Sequence, residues 1–560
     1  MKRYDFEDLT IYFEGEIYKF EEYLINNIGE ILKDLYIKYS FDFVSKLDGV
    51  FAFCIYDKIK NLYFCSRDRF GNIPFYYYIQ NEKFIFSTSI KDILKELPNL
   101  PKLNKIALSK YIQHFSTFGE DTFYCDIYKL EDSSYLIFEP KKDLIKKKYY
   151  KINTYKAVND ENIALNDLEE LLYSAIEKRL ISSPSTLLSG GIDSSLISSI
   201  YTKISGRKID TFSIGYNEYK NYCELPYAKI TSNHINSNHH EIIIDKKNYI
   251  DSFYNTLEFF DEPHGDSAAV PLNFLLKNVK DFGVNSLLSG EGADELFFGY
   301  DNYAKFLKYH NFEKSLSKEQ NEFLNEIISA LQNNTKESEY LRRVVKKQNI
   351  YNSFGEIFND IQKRKLFVKV PTFKSETPKQ DFVDNMSYID LKLWVSNPVL
   401  TKVYKVSKEN SLQIHTPFLD NDLLKYVFSI ESSIKMGNTN KYLLKKIASK
   451  YIPEQIINRT KKGFNSPFNE WLQDEFGSSI LDTILEVNRQ TAFFNENYIR
   501  QIYTLASSNK FKQHLYSLFV FSLWYKKVYL WFYLKCFPWN ILIFPKTLLM
   551  LVVLFVHHLL

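Results

Sequence analysis

The sequence predicts an α/β protein in two unequal parts, a partial amino-terminal α/β sandwich followed by a parallel-sheet, Rossmann-like body. Two observations carry that reading. The runs SGGIDSS, Ser189 to Ser195, and SGEGADE, Ser289 to Glu295, each follow an apolar strand-like segment and lead into a helix start. The first third instead alternates aromatic with polar residues between Gly and Pro breaks, which is the pattern of strands and turns over a core.

In the first third, FEGEIYKFEEY (Phe13 to Tyr23), LDGVFAFCIYD (Leu47 to Asp57) and FCSRDRFGNIPFYYY (Phe64 to Tyr78) read as strands and turns. Cys54, Cys65, Cys125, Cys223 and Cys536 are scattered without a CxxC pair, so they read as reduced core thiols.

Pro184, Ser185, Thr186, Leu187 and Leu188 then read as a short buried strand, and Ser189, Gly190 and Gly191 as a tight turn. Glycine lets the backbone approach phosphate oxygens closely. Leu196, Ile197, Ile200 and Ile204 recur at helical spacing and Gly206 ends the helix, so the turn sits at a helix N-terminus with its spare N–H groups. Asp193 lies beside those donors and would repel a phosphate unless Mg²⁺ bridges the two, which makes it the first metal-ligand candidate. The run has neither the GKS or GKT of a Walker loop nor GxGxxG spacing.

Val284 to Leu288 repeat the strand, Ser289 to Gly292 repeat the turn, and Glu291, Asp294 and Glu295 crowd carboxylates around it. Such crowding is costly unless cations share it. Two such loops are expected to meet at the carboxyl ends of a parallel sheet. TFSIGY, Thr211 to Tyr216, reads as a neighbouring strand. In DEPHGDSAAVP, Asp261 to Pro271, the acids Asp261, Glu262 and Asp266 are compatible either with a pocket or with plain turn chemistry. Lys308 to Gln380, rich in Asn, Lys, Glu and Ser, reads as surface helices and a long loop.

In order, SGGIDSS, TFSIGY, DEPHGDSAAVP and SLLSGEGADELFFGY resemble the synthetase domain of asparagine synthetases, and HTPFLD (His415 to Asp420) and RTKKGFNSPFNEWL (Arg459 to Leu472) extend the match from about Leu9 to Trp524. The resemblance implies an ATP-pyrophosphatase fold over 165–527. It also implies a two-step reaction, in which a carboxylate attacks the α phosphate of ATP and an amine or ammonia then displaces AMP. By this resemblance Leu188, Ser189, Gly190, Gly191, Asp193, Ser194, Ser195, Ser213, Ile214, Ser289 and Gly290 bind ATP or its pyrophosphate. Asp193 and Asp294 hold Mg²⁺, Glu291 orients the ions or the nucleophile, and Lys461, the lysine of an RxKxGF pattern, offsets charge on the α phosphate.

Residues 1–150 resemble the later part of a class II glutamine amidotransferase, an amidohydrolase-type sandwich. The family's glutaminase uses an amino-terminal cysteine, whereas this chain begins Met1, Lys2, Arg3, and Glu14 replaces the first asparagine of the family's NGEIYN motif. A carboxylate there repels an oxyanion. The expectation is a chain that does not hydrolyse glutamine, either because the gene start is misplaced or because the domain is a scaffold; Glu14 lies inside the sequence and is untouched by the first explanation. Gln413 and His415 replace a glutamate and an arginine before PFLD, which puts aspartate in question as the acceptor if those side chains line the pocket.

With 560 residues, 45% hydrophobic, 25% charged and net charge +3, the chain is long enough for about two to four domains and gives no basis for nucleic-acid binding. No secretory signal opens it, and a cytoplasmic enzyme is expected. The tail over 528–560 is strongly apolar but broken by Lys535, Pro538, Pro545 and Lys546. Neither piece reaches the roughly 18 uninterrupted residues of a spanning helix, which leaves an interfacial anchor, a hairpin, a partner-binding tail or a frameshift product. The expected partners are a small-molecule or peptide carboxylate and ammonia or another amine, with room for a homodimer and for membrane contact through the tail. The alternative activities are amide- or lactam-forming tailoring with an internal amine and, from another class, an inactive binding subunit.

Overall fold

The computed structural model describes residues 1–19, 27–152, 155–180, 183–330, 335–371, 381–460, 463, 467–468, 470, 475–508 and 510–530. Lys461 and the tail from 531 onward lie outside the described residues.

The amino-terminal strands are β1 (Lys2–Asp5), β2 (Leu9–Lys19), β3 (Asp48–Asp57), β4 (Leu62–Arg67), β5 (Tyr76–Gln80), β6 (Lys83–Ser87), β7 (Ile127–Lys129), β8 (Ser134–Phe138) and β9 (Ile145–Lys148). They make one antiparallel sheet in the order β1-β2-β3-β4-β8-β9 and a smaller one in the order β6-β5-β7. Period-two alternation sorts the side chains of β3. Phe51, Phe53 and Ile55 join a core with Leu32 and Leu35 of the helix Ile28–Tyr39, while Ala52 and Cys54 join Phe75 and Tyr77 on the other face. The larger sheet is therefore covered on both sides, by a helix and by the smaller sheet. Gly15 is required where it stands: its φ is +120° and a Cβ would lie 2.0 Å from the Val50 carbonyl oxygen. Cys54 and Cys65 face each other across β3 and β4 as buried free thiols.

The second body is built on β10 (Ser185–Leu187), β11 (Asp210–Gly215), β12 (Asn238–Ile243), β13 (Ser286–Leu288) and β14 (Gln413–His415), all parallel, in the order β12-β11-β10-β13-β14. From β10 the chain builds outward to β11 and β12, then returns to place β13 on the other side of β10. The strand order reverses between β10 and β13, so the loops after both strands open into one crevice. Four helices matter to the site: α1 (Ile192–Ser205), α2 (Ala293–Leu296), α3 (Leu400–Glu409) and α4 (Tyr442–Ala448). Helix α1 ends at Gly206 with φ +60°, as a glycine C-cap does. Within 308–380 the described residues include the helix Lys318–Ala330, which is mostly exposed, and the helix Lys336–Val345, which buries Tyr340 and Val344 in a hydrophobic cluster. Among the described residues no helix is long and apolar enough to cross a membrane.

Candidate functional site

The crevice is built from the two turns the sequence singles out. After β10, the Leu188 amide donates to the Phe212 carbonyl at 2.8 Å, and the Ser213 hydroxyl of β11 donates to the Leu188 carbonyl. Ser189 and Ser194 close the turn on itself, with their hydroxyl oxygens 3.0 Å apart and the Ser189 amide 3.1 Å from Ser194 Oγ. Gly190 has φ +76° and a Cβ there would lie 2.5 Å from the Ala228 amide nitrogen. Its carbonyl accepts from Arg459 Nη1 at 2.7 Å, and the same guanidinium pairs with Glu224 and lies over the Tyr227 ring. Gly191 caps α1 and Asp193 lies in its first turn. Ser195 is fully buried, its hydroxyl bonded to Thr231 at 2.9 Å, so only its backbone belongs to the loop. Ile214 is buried in β11.

After β13, the Ser289 amide donates to the His415 carbonyl at 2.9 Å. Gly290 is where the two turns touch: a Cβ would stand 2.9 Å from the Asp193 Cβ and 3.1 Å from the Ser194 amide nitrogen. The side chains of Asp193 and Asp294 meet at one cation. Lys441, just before α4, places Nζ 2.5 Å from both Asp193 oxygens and 2.8 Å from Asp294 Oδ1. Burial alone would lower this lysine, but the two carboxylates raise it above its ordinary value. Lys441 was not singled out from the sequence, because in a run with Lys445, Lys446 and Lys450 it looks like any solvated lysine.

The carboxylate crowding after β13 resolves residue by residue. Asp294 shares Lys441. Glu291 lies 3.7 Å from Lys402 Nζ on α3, which also sits 2.8 Å from Asp266. Glu295 turns into the core and accepts from the Tyr300 hydroxyl at 2.7 Å, and burial together with Asp294 pushes its carboxyl up to about 8. That shift favours the neutral form and limits the charge it adds beside Asp294.

DEPHGD divides between two tasks. Asp266 belongs to the crevice, whereas Asp261 pairs with Lys405 and accepts from Ser89 Oγ at 2.6 Å, and Glu262 accepts from the Phe123 amide at 2.7 Å. Those two acids stitch the bodies together. The expectation that Gln413 and His415 line the acceptor pocket needs correction. They occupy one face of β14, by the period of two, and that face meets Glu16: His415 Nδ1 is 3.7 Å from it and Gln413 hydrogen-bonds to it. Burial, with Arg179 nearby, lowers His415 to about 4 and keeps it neutral. Their departure from the family pattern bears on the contact between the two bodies and leaves the identity of the acceptor open.

Glu14 is likewise committed to that contact. Its carboxylate accepts from Tyr404 Oη at 2.5 Å, from Thr88 Oγ1 at 2.9 Å, and pairs with Lys408 Nζ at 2.6 Å. Burial would raise its pKa, but Lys408 and Tyr404 outweigh that and hold it down at about 2.

The donor chemistry suits Mg²⁺. Asp193 and Asp294 already converge on one cation, and Mg²⁺ takes one or two carboxylates with substrate phosphates and water completing its shell. Among the described residues no cluster of three or more His, Cys, Asp or Glu could hold a metal ion.

Two phosphate-type turns at the switch point of a parallel sheet, joined to an antiparallel sandwich, define a class of ATP-dependent ligases carrying an amidotransferase-type domain. The asparagine synthase family model matches residues 167–526 and the glutamine amidotransferase domain model matches 3–150. The chain belongs to the asparagine synthase family and is an ATP-dependent ligase. It is 28% identical over 549 residues to glutamine-hydrolyzing asparagine synthetase 1 of Bacillus subtilis, covering 93% of this chain and 86% of that one. It is 36% identical over 312 residues to putative glutamine-hydrolyzing asparagine synthetase 2 of Methanocaldococcus jannaschii, covering 53% and 60%. Amidase chry2 of Gibberella zeae is 23% identical over 553 residues, covering 86% and 80%.

Proposed function

We propose that this chain activates a carboxylic acid as its acyl-adenylate, with release of pyrophosphate, and that an amine then displaces AMP to leave an amide. The observation that carries this reading is the convergence of Asp193 and Asp294, from adjoining strand ends, on one buried ammonium. Carboxylates gathered so near a helix N-terminus suit a polyanion that brings its own cation. Ser189, Gly190, Gly191, Ser194, Ser289 and Gly290 form the walls against the pyrophosphate, with the first-turn amides of α1 as donors; the Ser195 amide already donates to the Gly191 carbonyl at 3.1 Å, so Ser195 supports the turn without donating to the ligand. Leu188, Ser213 and Ile214, at the ends of β10 and β11, take the nucleoside. Mg²⁺ held by Asp193 and Asp294 would neutralise the phosphate charge. Arg459 fixes the Gly190 carbonyl and so the shape of the turn. Lys461 keeps its assignment to the α phosphate through its place in RxKxGF, and Glu291 receives the amine.

Aspartate is the first acid to test, being the family's substrate. Exchange of labelled pyrophosphate into ATP, dependent on a carboxylic acid, is the expected result, and Asp193→Asn should abolish it. No exchange with any acid, together with no ATP binding, would overturn the proposal.

Glu14 favours a second reading of the amine source. With a carboxylate in place of the family's oxyanion-donating asparagine, and that carboxylate committed to Tyr404, Thr88 and Lys408, the amino-terminal body serves as a scaffold, and the amine is free ammonia or an amine carried by the substrate, as in lactam-forming relatives. Amide formation with ammonium chloride but not with glutamine is expected; glutamate release from glutamine would refute this reading.

A further inference from the structure

Helix α3 presents Lys402 to the crevice almost fully enclosed, at 7% exposure, with Nζ 2.8 Å from Asp266 Oδ2 and 3.7 Å from Glu291 Oε1, while Glu291 stays one-third exposed at 33%. A buried ammonium is costly unless it is paired. Asp266 alone supplies that pairing, and its other oxygen is fixed by the Ala268 amide at 3.0 Å. Lys402 and Asp266 thus form a neutral unit anchored on two elements, and Glu291 is an additional carboxylate held at its edge. Burial would lower Lys402, but Asp266 and Glu291 raise it, so it stays charged throughout the working pH range.

Resting on the ligase reading above, we propose that Lys402 is a positioning residue for the second half-reaction, holding one oxygen of Glu291 so that the other meets the incoming amine. In that step the amine nitrogen bonds to the acyl carbon and the carbon–oxygen bond to AMP breaks, its electron pair leaving with AMP. The surplus proton of the nitrogen passes to Glu291 and then to solvent. A carboxylate on a flexible three-bond stem loses this geometry without a tether, and misplacement of a reacting group by about 1 Å costs on the order of a hundredfold.

A double-mutant cycle tests this, with pyrophosphate exchange reporting the first half-reaction and amide formed from ammonium chloride reporting the whole. Lys402→Met should lower the amide made per adenylate formed by about a hundredfold. In a Glu291→Gln background the same change should cost less than about threefold, because the residue it acts through is gone. Lys402→Arg keeps the charge and the Asp266 pair, which guards against misfolding. Its expected loss is about tenfold and should likewise vanish beside Glu291→Gln. Losses of equal size in both backgrounds, or exchange and amide formation falling in step, would make Lys402 merely structural and overturn the proposal. Absence of exchange in the unsubstituted protein would instead remove the ligase reading, and the two failures are told apart by which measurement collapses.

Discussion

Replacing Lys441 by Met leaves Asp193 and Asp294 facing each other with no cation between them. At an effective dielectric near 20, each ion contact of this length is worth about 6 kcal/mol before desolvation is subtracted. Removing one partner from a buried cluster costs about 3–5 kcal/mol. The two aspartates remain 18% and 17% exposed, so water recovers part of this, and a loss of about 3 kcal/mol is expected. The variant should also gain a response to Mg²⁺ that the parent lacks, because the ion can occupy the vacated position. A ligand at ten times its Kd adds about 1.4 kcal/mol. Urea unfolding with and without millimolar Mg²⁺ measures both effects. A variant within about 0.5 kcal/mol of the parent, with the same Mg²⁺ response as the parent, would refute the claim that these acids share a cation site.

Gly290→Ala inserts a methyl 2.9 Å from the Asp193 Cβ; a loss of about 1–3 kcal/mol in unfolding free energy and weaker ATP binding by calorimetry are expected. Arg459→Lys keeps the charge but gives up the fork that spans the Gly190 carbonyl and Glu224, and the KM for ATP should rise about tenfold. Glu14→Gln should destabilise the protein by about 2–3 kcal/mol at neutral pH. Because the folded-state pKa of Glu14 is depressed to about 2, its contribution is complete above the unfolded value near 4.5 and disappears as pH falls through 2. The gap between parent and variant in urea unfolding should therefore close over that window.

The parallel body was legible because its signals are local. An apolar strand and a glycine turn adjoin at both loops, with a helical period close behind the first, and the β10–β13 adjacency follows from how such units wind. What the sequence concealed depends on long-range meetings of ordinary residues. Lys441 and Lys402 lie far along the chain from Asp193 and Asp266, in segments where lysines are common on solvated faces. Glu295 looked like a third site acid, and it is burial, with Asp294 beside it, that disfavours its charged form. Gln413 and His415 were placed at the acceptor by proximity to PFLD, yet on a three-residue strand one step of register decides which body a side chain faces.

Helix α3 joins these threads. Tyr404 and Lys408 bind Glu14, Lys405 binds Asp261, and Lys402 binds Asp266 beside Glu291. Ten helical residues move nearly as one rod, so a tilt at the Glu14 contact changes the direction of the whole helix. Loosening its grip on Glu14 must therefore disturb the tether on Glu291. A carboxylate that is unsuited to an oxyanion is well suited to hold this helix, since it accepts from a phenol and an ammonium one turn apart. The amino-terminal body thus has a physical role apart from any chemistry of its own: through Glu14 it holds the helix that carries Lys402 to the crevice.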